Sequence, residues 1–128
     1  MSERDTICAL ASGAPPAAIA ILRLSGPHVR ELAQRHLGSG LPVARHATLT
    51  DMTDNDGALI DRGLVIFMPA PGSYTGEDTL ELYLHGGAAV IAHALETLAA
   101  HDGVRMAEPG EYTRRAFEAG KLDLTEAE

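Results

Sequence analysis

Hydrophobic and polar residues alternate with two different periods along the chain, and these periods predict both strands and helices. Residues 80–84 (LELYL) are apolar at every second position, which is typical of a strand with one buried and one polar face. Residues 18–24 (AIAILRL) are apolar at nearly every position, which predicts a strand covered on both faces. Residues 29–37 and 88–100 carry apolar residues every three or four positions, so each is expected to form a helix with one buried side.

Glycine, proline and asparagine mark where these elements begin and end. Pro27 is expected in the first turn of the first helix, which Gly38 ends, and residues 55–57 (NDG) predict a hairpin turn. The full prediction is the order β-β-α-β-β-β-α-β-α, and its remaining elements are strands within 6–10, 45–53, 64–68 and 104–107 and a helix over 111–119. This order predicts an α+β domain with a mixed or antiparallel sheet and flanking helices.

The chain of 128 residues is predicted to hold one domain and the beginning of another. Residues 1–120 have the length of a single domain, and 45% of all residues are hydrophobic, enough for a real core. Thr125 is followed by acidic residues, which is typical of a helix start. We therefore expect residues 121–128 to begin a helical domain of a longer protein.

Charge and composition argue against some classes of protein for this chain, among them nucleic-acid-binding and membrane proteins. Eighteen acidic and ten basic residues give a formal net charge of -8, which argues against nucleic-acid binding by this stretch alone. Aromatic residues make up only 4% of the chain and offer few platforms for stacking bases. The sequence has no long apolar run and no signal-peptide pattern, so we expect a soluble, cytoplasmic protein without membrane contact. The single cysteine, Cys8, excludes an internal disulfide and is expected to be an inert buried thiol.

The common catalytic signatures are missing from the sequence. It contains no G-x-x-x-x-G-K-[ST] phosphate loop, no G-x-G-x-x-G and no H-E-x-x-H. Its six histidines do not show the spacing of a metal site. We therefore expect neither a catalytic residue nor a metal ligand in this stretch.

Glu81 shares a predicted strand face with Tyr83 and His85, and this face has two interpretations. It is either a solvated surface or a face that presents a carboxylate to a pocket at the end of the sheet. A carboxylate is acceptor-only and offers two oxygens side by side. It matches a heterocycle with two adjacent N–H donors, such as the 2-amino group and N3–H of a pterin.

Arg23 and Lys121 each have a structural and a functional interpretation. Arg23 either reaches solvent near its strand end or holds a carboxylate with its guanidinium fork, from a ligand or from Glu81. Lys121 is the only lysine beside nine arginines and follows Gly120. It is either a helix-end cation that favours the helix dipole or a position that requires an ammonium group.

Five segments spread over the chain stand out: residues 5–7 (DTI), 21–26 (ILRLSG), 73–78 (SYTGED), 80–82 (LEL) with 85–87 (HGG), and 108–128. Together and in this order, these five segments resemble the tRNA-modification GTPase family MnmE, also called TrmE. The last is the most specific. It combines PGEYT, RAF and GKLDL, and no generic structural rule requires that series.

The resemblance implies a fold like the tetrahydrofolate-binding domain of aminomethyltransferases, and homodimerisation through this domain. It implies that Arg23, Glu81 and Lys121 contact 5-formyltetrahydrofolate or a related tetrahydrofolate. Members of the family act with a flavin-dependent (FAD) partner, MnmG (GidA), to modify C5 of the wobble uridine of tRNA. GTP, Mg²⁺ and K⁺ belong to the full-length protein, and this stretch lacks the GTPase domain.

Two positions depart from the family's pattern. The loop of residues 12–18 lacks the Gly/Arg-rich sequence often found there, and Ala119 stands where the family often has Asn, so the helix end depends on Gly120.

Two other functions stay open from the residues. One is a stand-alone folate-dependent one-carbon transferase with Glu81 or His85 as acid or base, and the other is a purely structural dimer module.

Overall fold

The computed structural model describes residues 5–12 and 17–120 of the chain. Within them the predicted element order is confirmed, and the elements are β1 (Thr6–Leu10), β2 (Ala17–Ser25), α1 (Val29–His36), β3 (Thr48–Thr53), β4 (Leu59–Met68), β5 (Thr79–Gly86), α2 (Ala88–Ala99), β6 (Val104–Met106) and α3 (Glu111–Glu118). The expectations for Lys121, for a helix start at Thr125 and for the loop of residues 13–16 lie outside the described residues.

The strands form one six-stranded sheet in the order β3-β4-β5-β2-β1-β6. Neighbouring strands are antiparallel except β1 and β6, which pair in parallel through residues 6–8 and 104–106. The sheet is therefore mixed and confirms the predicted α+β class. Strand β2 lies between β1 and β5, so its side chains are adjacent to an N-terminal strand on one side and to a strand of the second half of the chain on the other.

The hydrophobic core lies on one face of this sheet, under α1 and α2. Leu80, Leu82 and Leu84 of β5 are at most 3% exposed, which confirms the predicted alternation. They belong to one buried cluster with Val29 of α1 and Leu98 of α2. Burial of each such side chain contributes about 2 kcal/mol. No helix in the described ranges has the length and hydropathy needed to cross a membrane.

Strand β2 is covered on both faces only at its Ser25 end, and its other end is open on one face, which corrects the prediction of cover along the whole strand. Ala20 and Leu22 are fully buried, whereas Ile19 on the opposite face is 59% exposed. Helices α1 and α2 both lie on the Leu22 side. Helix α3 lies on the opposite side, where Tyr112 is bonded to the backbone of β1 and of β2 at Arg23, and it leaves Ile19 open.

An apolar row crosses the open face of the sheet. The pairing register aligns Leu49 of β3 with Leu64 of β4, Leu64 with Tyr83 of β5, and Tyr83 with Ile21 of β2. Leu49 is 57% and Leu64 is 44% exposed. These four residues are called the apolar row below. They give the sheet a second face that is apolar without being covered by any described element.

Helix α1 begins at Val29 and not at Pro27, because a tight turn comes first. Gly26 has a φ of 140°, and a Cβ placed there would lie 2.6 Å from the Cα of Thr6. The Thr6 hydroxyl oxygen then accepts the N–H of His28 at 2.8 Å. The backbone therefore passes close to β1 at Gly26, and helix α1 begins only after this contact.

The predicted hairpin turn joins β3 and β4. Gly57 has a φ of 85°, which favours glycine, and the Asp54 carboxylate accepts the backbone N–H groups of Asp56 and Ala58 at 2.9 Å. Strand β4 begins at Leu59 rather than at residue 64, since the hairpin pairing continues to the turn.

Candidate functional site

Arg23 and Glu81 lie directly opposite each other on β2 and β5, on the open face of the sheet. Arg23 donates to Glu81 Oε2 through Nε at 3.0 Å and through Nη2 at 2.7 Å. Their side chains are 30% and 15% exposed, so the pair is only partly open to water. Of the interpretations left open by the sequence, Arg23 holds a carboxylate, and that carboxylate is Glu81.

Tyr83 completes the support of the Glu81 carboxylate. Its hydroxyl donates to Glu81 Oε1 at 2.8 Å, so both oxygens of Glu81 are engaged from within the sheet. Desolvation and this hydrogen bond raise the pKa of Tyr83, which keeps its proton available for donation. Glu81 is therefore a fixed acceptor at an apolar face and not a freely solvated surface carboxylate.

Tyr112 of α3 fixes the backbone of Arg23, a contact that the sequence did not predict. Its hydroxyl donates to the Arg23 carbonyl oxygen at 2.5 Å, and its ring centroid lies 5.8 Å from the guanidinium carbon. Burial is the main cause that raises the pKa of Tyr112 far above its usual range. The only sequence signal for this role was an aromatic residue in the first turn of an amphipathic helix.

Glu111 anchors the start of α3 and gives a physical role to the PGEYT series. It is 1% exposed, and its carboxylate receives two hydrogen bonds from Arg105 of β6, at 2.8 and 2.6 Å. It also accepts the backbone N–H of Glu108 at 2.9 Å. These bonds, with that from Arg105 the largest cause, lower the pKa of Glu111 to about 2. The N-cap, Gly110, has a φ of 75°.

The loop of residues 73–78 joins the end of β2 to α3. Thr75 lies 2.6 Å from the hydroxyl of Ser25, and Ser25 donates to Glu77 at 2.9 Å. Arg115 of α3 reaches the same carboxylate of Glu77 at 3.0 and 3.2 Å. Between this loop and α3 is a cavity of about 270 Å³ lined by Thr75, Gly76, Glu77, Arg114, Arg115, Glu118 and Ala119.

His85 lies further along the same face of β5 and is held by Asp61 of β4. Its ring Nδ1 is 2.9 Å from Asp61 Oδ1, and its backbone N–H donates to Asp61 Oδ2 at 2.8 Å. Burial disfavours the Asp61 anion, but these hydrogen bonds outweigh it and lower the pKa of Asp61.

The remaining candidates from the sequence are Cys8, a metal site, Gly120 and Lys121. Cys8 is fully buried, and burial raises the pKa of its thiol to about 11, as expected of an inert cysteine. No group of three His, Cys, Asp or Glu residues in ranges 5–12 and 17–120 is arranged to hold a metal ion. Gly120 ends α3 with a φ of 77°, so the helix end does depend on that glycine. Lys121, the third predicted site residue, lies just beyond the described range.

Comparison with known proteins gives one consistent family. The family model described as "GTP-binding protein TrmE N-terminus" matches residues 6–121. The chain is 68% identical over all its 128 residues to the tRNA modification GTPase MnmE of Hyphomonas neptunium and spans 29% of that protein. It is 54% identical over 125 residues to the MnmE of Chelativorans sp., covering 98% of this chain and 28% of that protein. It is 51% identical over 128 residues to that of Sinorhizobium medicae, covering all of this chain and 29% of that protein. The chain therefore belongs to the TrmE N-terminal family.

Proposed function

We propose that this chain is a tetrahydrofolate-binding and homodimerisation module of a tRNA-modifying GTPase. Its ligand is 5-formyltetrahydrofolate or a related tetrahydrofolate, and its contacts are Arg23, Glu81 and Lys121. The observation that carries the proposal is the Glu81 carboxylate, fixed by Arg23 and Tyr83 on an open, largely apolar sheet face.

The chemistry of Glu81 suits the pterin ring. A carboxylate offers two acceptor oxygens in one plane, and the pterin edge offers the 2-amino group and N3–H as adjacent donors. The partly exposed apolar side chain of Ile66, opposite Glu81 on β4, provides a surface for a planar ring. A site of this kind favours a ligand that is polar at one edge and apolar across its faces.

Arg23 adds a positive charge to the same site. Its guanidinium lies on the opposite side of Glu81 from Ile66, and 30% of its side chain is exposed. When a ligand takes over part of the Glu81 carboxylate, Arg23 is free to direct donors towards a ligand carbonyl or carboxylate. The pair is thus suited to a ligand that carries both donors and acceptors.

The apolar row supports homodimerisation through the open face. Leu49 and Leu64 of the row are 57% and 44% exposed, and Ile19, on the same side of the sheet, is 59% exposed. Neighbouring exposed apolar residues of this kind mark interaction sites. A second copy brings an identical row. Covering both rows removes apolar surface from water on each chain.

The activity of the whole protein is proposed from the family. The relatives are tRNA modification GTPases of which this chain spans about 29% of the length. We propose that the whole protein works with an FAD-containing MnmG (GidA) partner on C5 of the wobble uridine, and that GTP, Mg²⁺ and K⁺ bind outside this chain. The net charge of -8 favours tRNA contacts elsewhere in that complex.

Isothermal titration of the chain with 5-formyltetrahydrofolate tests the proposal. We expect saturable binding, which Glu81→Ala abolishes because the pterin donors lose both acceptors. The matched control is Glu96→Ala on the outer surface of α2, which leaves binding unchanged. An unaltered, folded chain that shows no binding at millimolar ligand contradicts the proposal.

A further inference from the structure

Tyr83 lies two residues after Glu81 on the same face of β5, and its hydroxyl is directed back along the strand. The hydroxyl donates to Glu81 Oε1 at 2.8 Å. Ile21 of β2 and Leu64 of β4 are its partners in the two adjacent strands. Such directly opposed side chains are close enough to pack, so the half-buried ring is held between two apolar neighbours. The sheet, and not the solvent, determines where this hydroxyl lies.

The hydrogen bonds that Glu81 accepts leave different numbers of free acceptor positions on its two oxygens. A carboxylate has about four acceptor positions, two on each oxygen. Arg23 Nε and Nη2 fill both positions on Oε2, at 3.0 and 2.7 Å. Tyr83 fills one position on Oε1. A ligand therefore meets a free acceptor on Oε1 first, and a second donor requires Arg23 to release one of its bonds to Oε2.

We propose that Tyr83 is a positioning residue that acts through Glu81 and selects a ligand edge with two adjacent N–H donors. This inference rests on the proposed function of Glu81. Arg23 fixes only Oε2, so without the Tyr83 hydroxyl the carboxylate can pivot about that oxygen. With the hydroxyl in place, Oε1 stays in position and directs its remaining acceptor at the ligand.

Selection follows from this geometry. A two-donor edge, such as the 2-amino group and N3–H of a pterin, can satisfy Oε1 and one position of Oε2 together. An edge with a single donor needs only one oxygen and gains little from a fixed carboxylate plane. Tyr83 therefore contributes to the preference for the two-donor edge more than to affinity in general.

The test is isothermal titration of the full 128-residue chain with two ligands. One is 5-formyltetrahydrofolate, and the other is its 2-desamino analogue, in which hydrogen replaces the 2-amino group. Four chains are compared: the unaltered chain, Tyr83→Phe, Glu81→Ala and a control, Tyr74→Phe. Tyr74 is 43% exposed, and its hydroxyl lies 3.4 Å from Thr113, away from Glu81.

We expect Tyr83→Phe to weaken binding of 5-formyltetrahydrofolate roughly three- to tenfold, the usual effect of one lost hydrogen bond. It should leave the affinity for the desamino analogue unchanged, so that the preference between the two ligands shrinks. Tyr74→Phe should change neither affinity. Circular dichroism of each variant checks that the fold is retained.

Two results overturn the inference. An equal loss for both ligands in Tyr83→Phe means that the residue has only a structural role, and an unchanged affinity for both ligands means that it does not orient Glu81. If Glu81→Ala still abolishes binding in either case, the proposed function survives and only the inference fails. If the unaltered chain binds neither ligand, the proposed function fails and the inference with it.

Discussion

The Tyr112 hydroxyl donates a 2.5 Å hydrogen bond to the backbone carbonyl of Arg23, so helix α3 is bonded directly to the strand that carries a candidate ligand-binding residue. The same hydroxyl is 3.4 Å from the carbonyl oxygen of Ile7 on the next strand. One phenol thus joins α3 to two strands. The position of Arg23 therefore depends on a helix that follows it by almost ninety residues in sequence.

Tyr112→Phe is expected to lower the free energy of unfolding by about 1 kcal/mol, because one buried hydrogen bond is lost. The ring remains, so its packing and its contact with the Arg23 guanidinium are kept. Urea denaturation followed by circular dichroism measures the change, with Tyr74→Phe as the control. A variant as stable as the unaltered chain would contradict the role given to this hydroxyl.

Glu111→Ala is expected to destabilise the chain by about 3–5 kcal/mol, since it leaves the guanidinium groups of Arg105 and Arg115 partly buried without their common carboxylate. Glu118→Ala on the outer side of α3 is the matched control, because Glu118 is half exposed and contacts only Arg114 among the salt bridges described. Urea midpoints of both variants give the comparison. Equal midpoints for the two variants would be inconsistent with a structural ion pair at Glu111.

The depressed pKa of Glu111 predicts acid sensitivity. Its pKa is about 2 in the folded chain against an ordinary value of 4.5, so folding favours the ionised form. The resulting stabilisation is complete above pH 4.5 and is lost as the pH falls towards 2. Unfolding midpoints measured from neutral pH down to about 2.5 should fall less steeply in Glu111→Gln than in the unaltered chain. Parallel curves for the two chains would show that other carboxylates govern the acid transition.

Leu49→Glu is expected to weaken homodimerisation on the order of tenfold or more, because it places a charge in the proposed dimer face. Leu49 is 57% exposed, so the monomer has no need to refold around the new side chain. Sedimentation equilibrium measures the dissociation constant. Val43→Glu, at a 68% exposed position outside the sheet, is the control. A Leu49→Glu dimer as tight as the control would exclude the apolar row as the interface.

Cys8 is expected to react with a disulfide reagent only after unfolding. With a pKa of about 11, its thiolate fraction at pH 8 is about 0.1%, and the side chain is fully buried. Release of the coloured thiol from Ellman's reagent, with and without guanidinium chloride, provides the measurement. Rapid labelling of the folded chain would show that β1 opens locally.

The order of helices and strands was predictable because most of them have a clear hydrophobic periodicity or are bounded by glycine, proline or asparagine. Strand β5 alternates cleanly, and that alternation alone places Glu81 and Tyr83 together on the face away from the core. Period, however, identifies a face and not a register. That Arg23 stands opposite Glu81 depends on the β2–β5 pairing, which period-two counting does not specify.

Two features of the site could not be predicted from a single sequence. Ile19 and Ile21 predicted cover on both faces of β2, because an apolar strand has the same sequence whether its second layer belongs to its own chain or to a partner. Tyr112 could be placed on a helix, but not against Arg23, since helical periodicity does not determine where the helix docks. Both limits concern contacts between elements and not the elements themselves.

The parallel pairing of β1 with β6 has a consequence for how this chain is made on the ribosome. The edge of β1 that faces away from β2 can pair only after residues 104–106 of β6 have been synthesised. Helix α3 follows β6 in the chain and is synthesised later still. Synthesis proceeds from the N-terminus, so Arg23 and Glu81 can meet early across β2 and β5, while Tyr112 arrives last. A released chain that ends before residue 104 would thus contain both residues of the ion pair but would lack the helix that fixes Arg23.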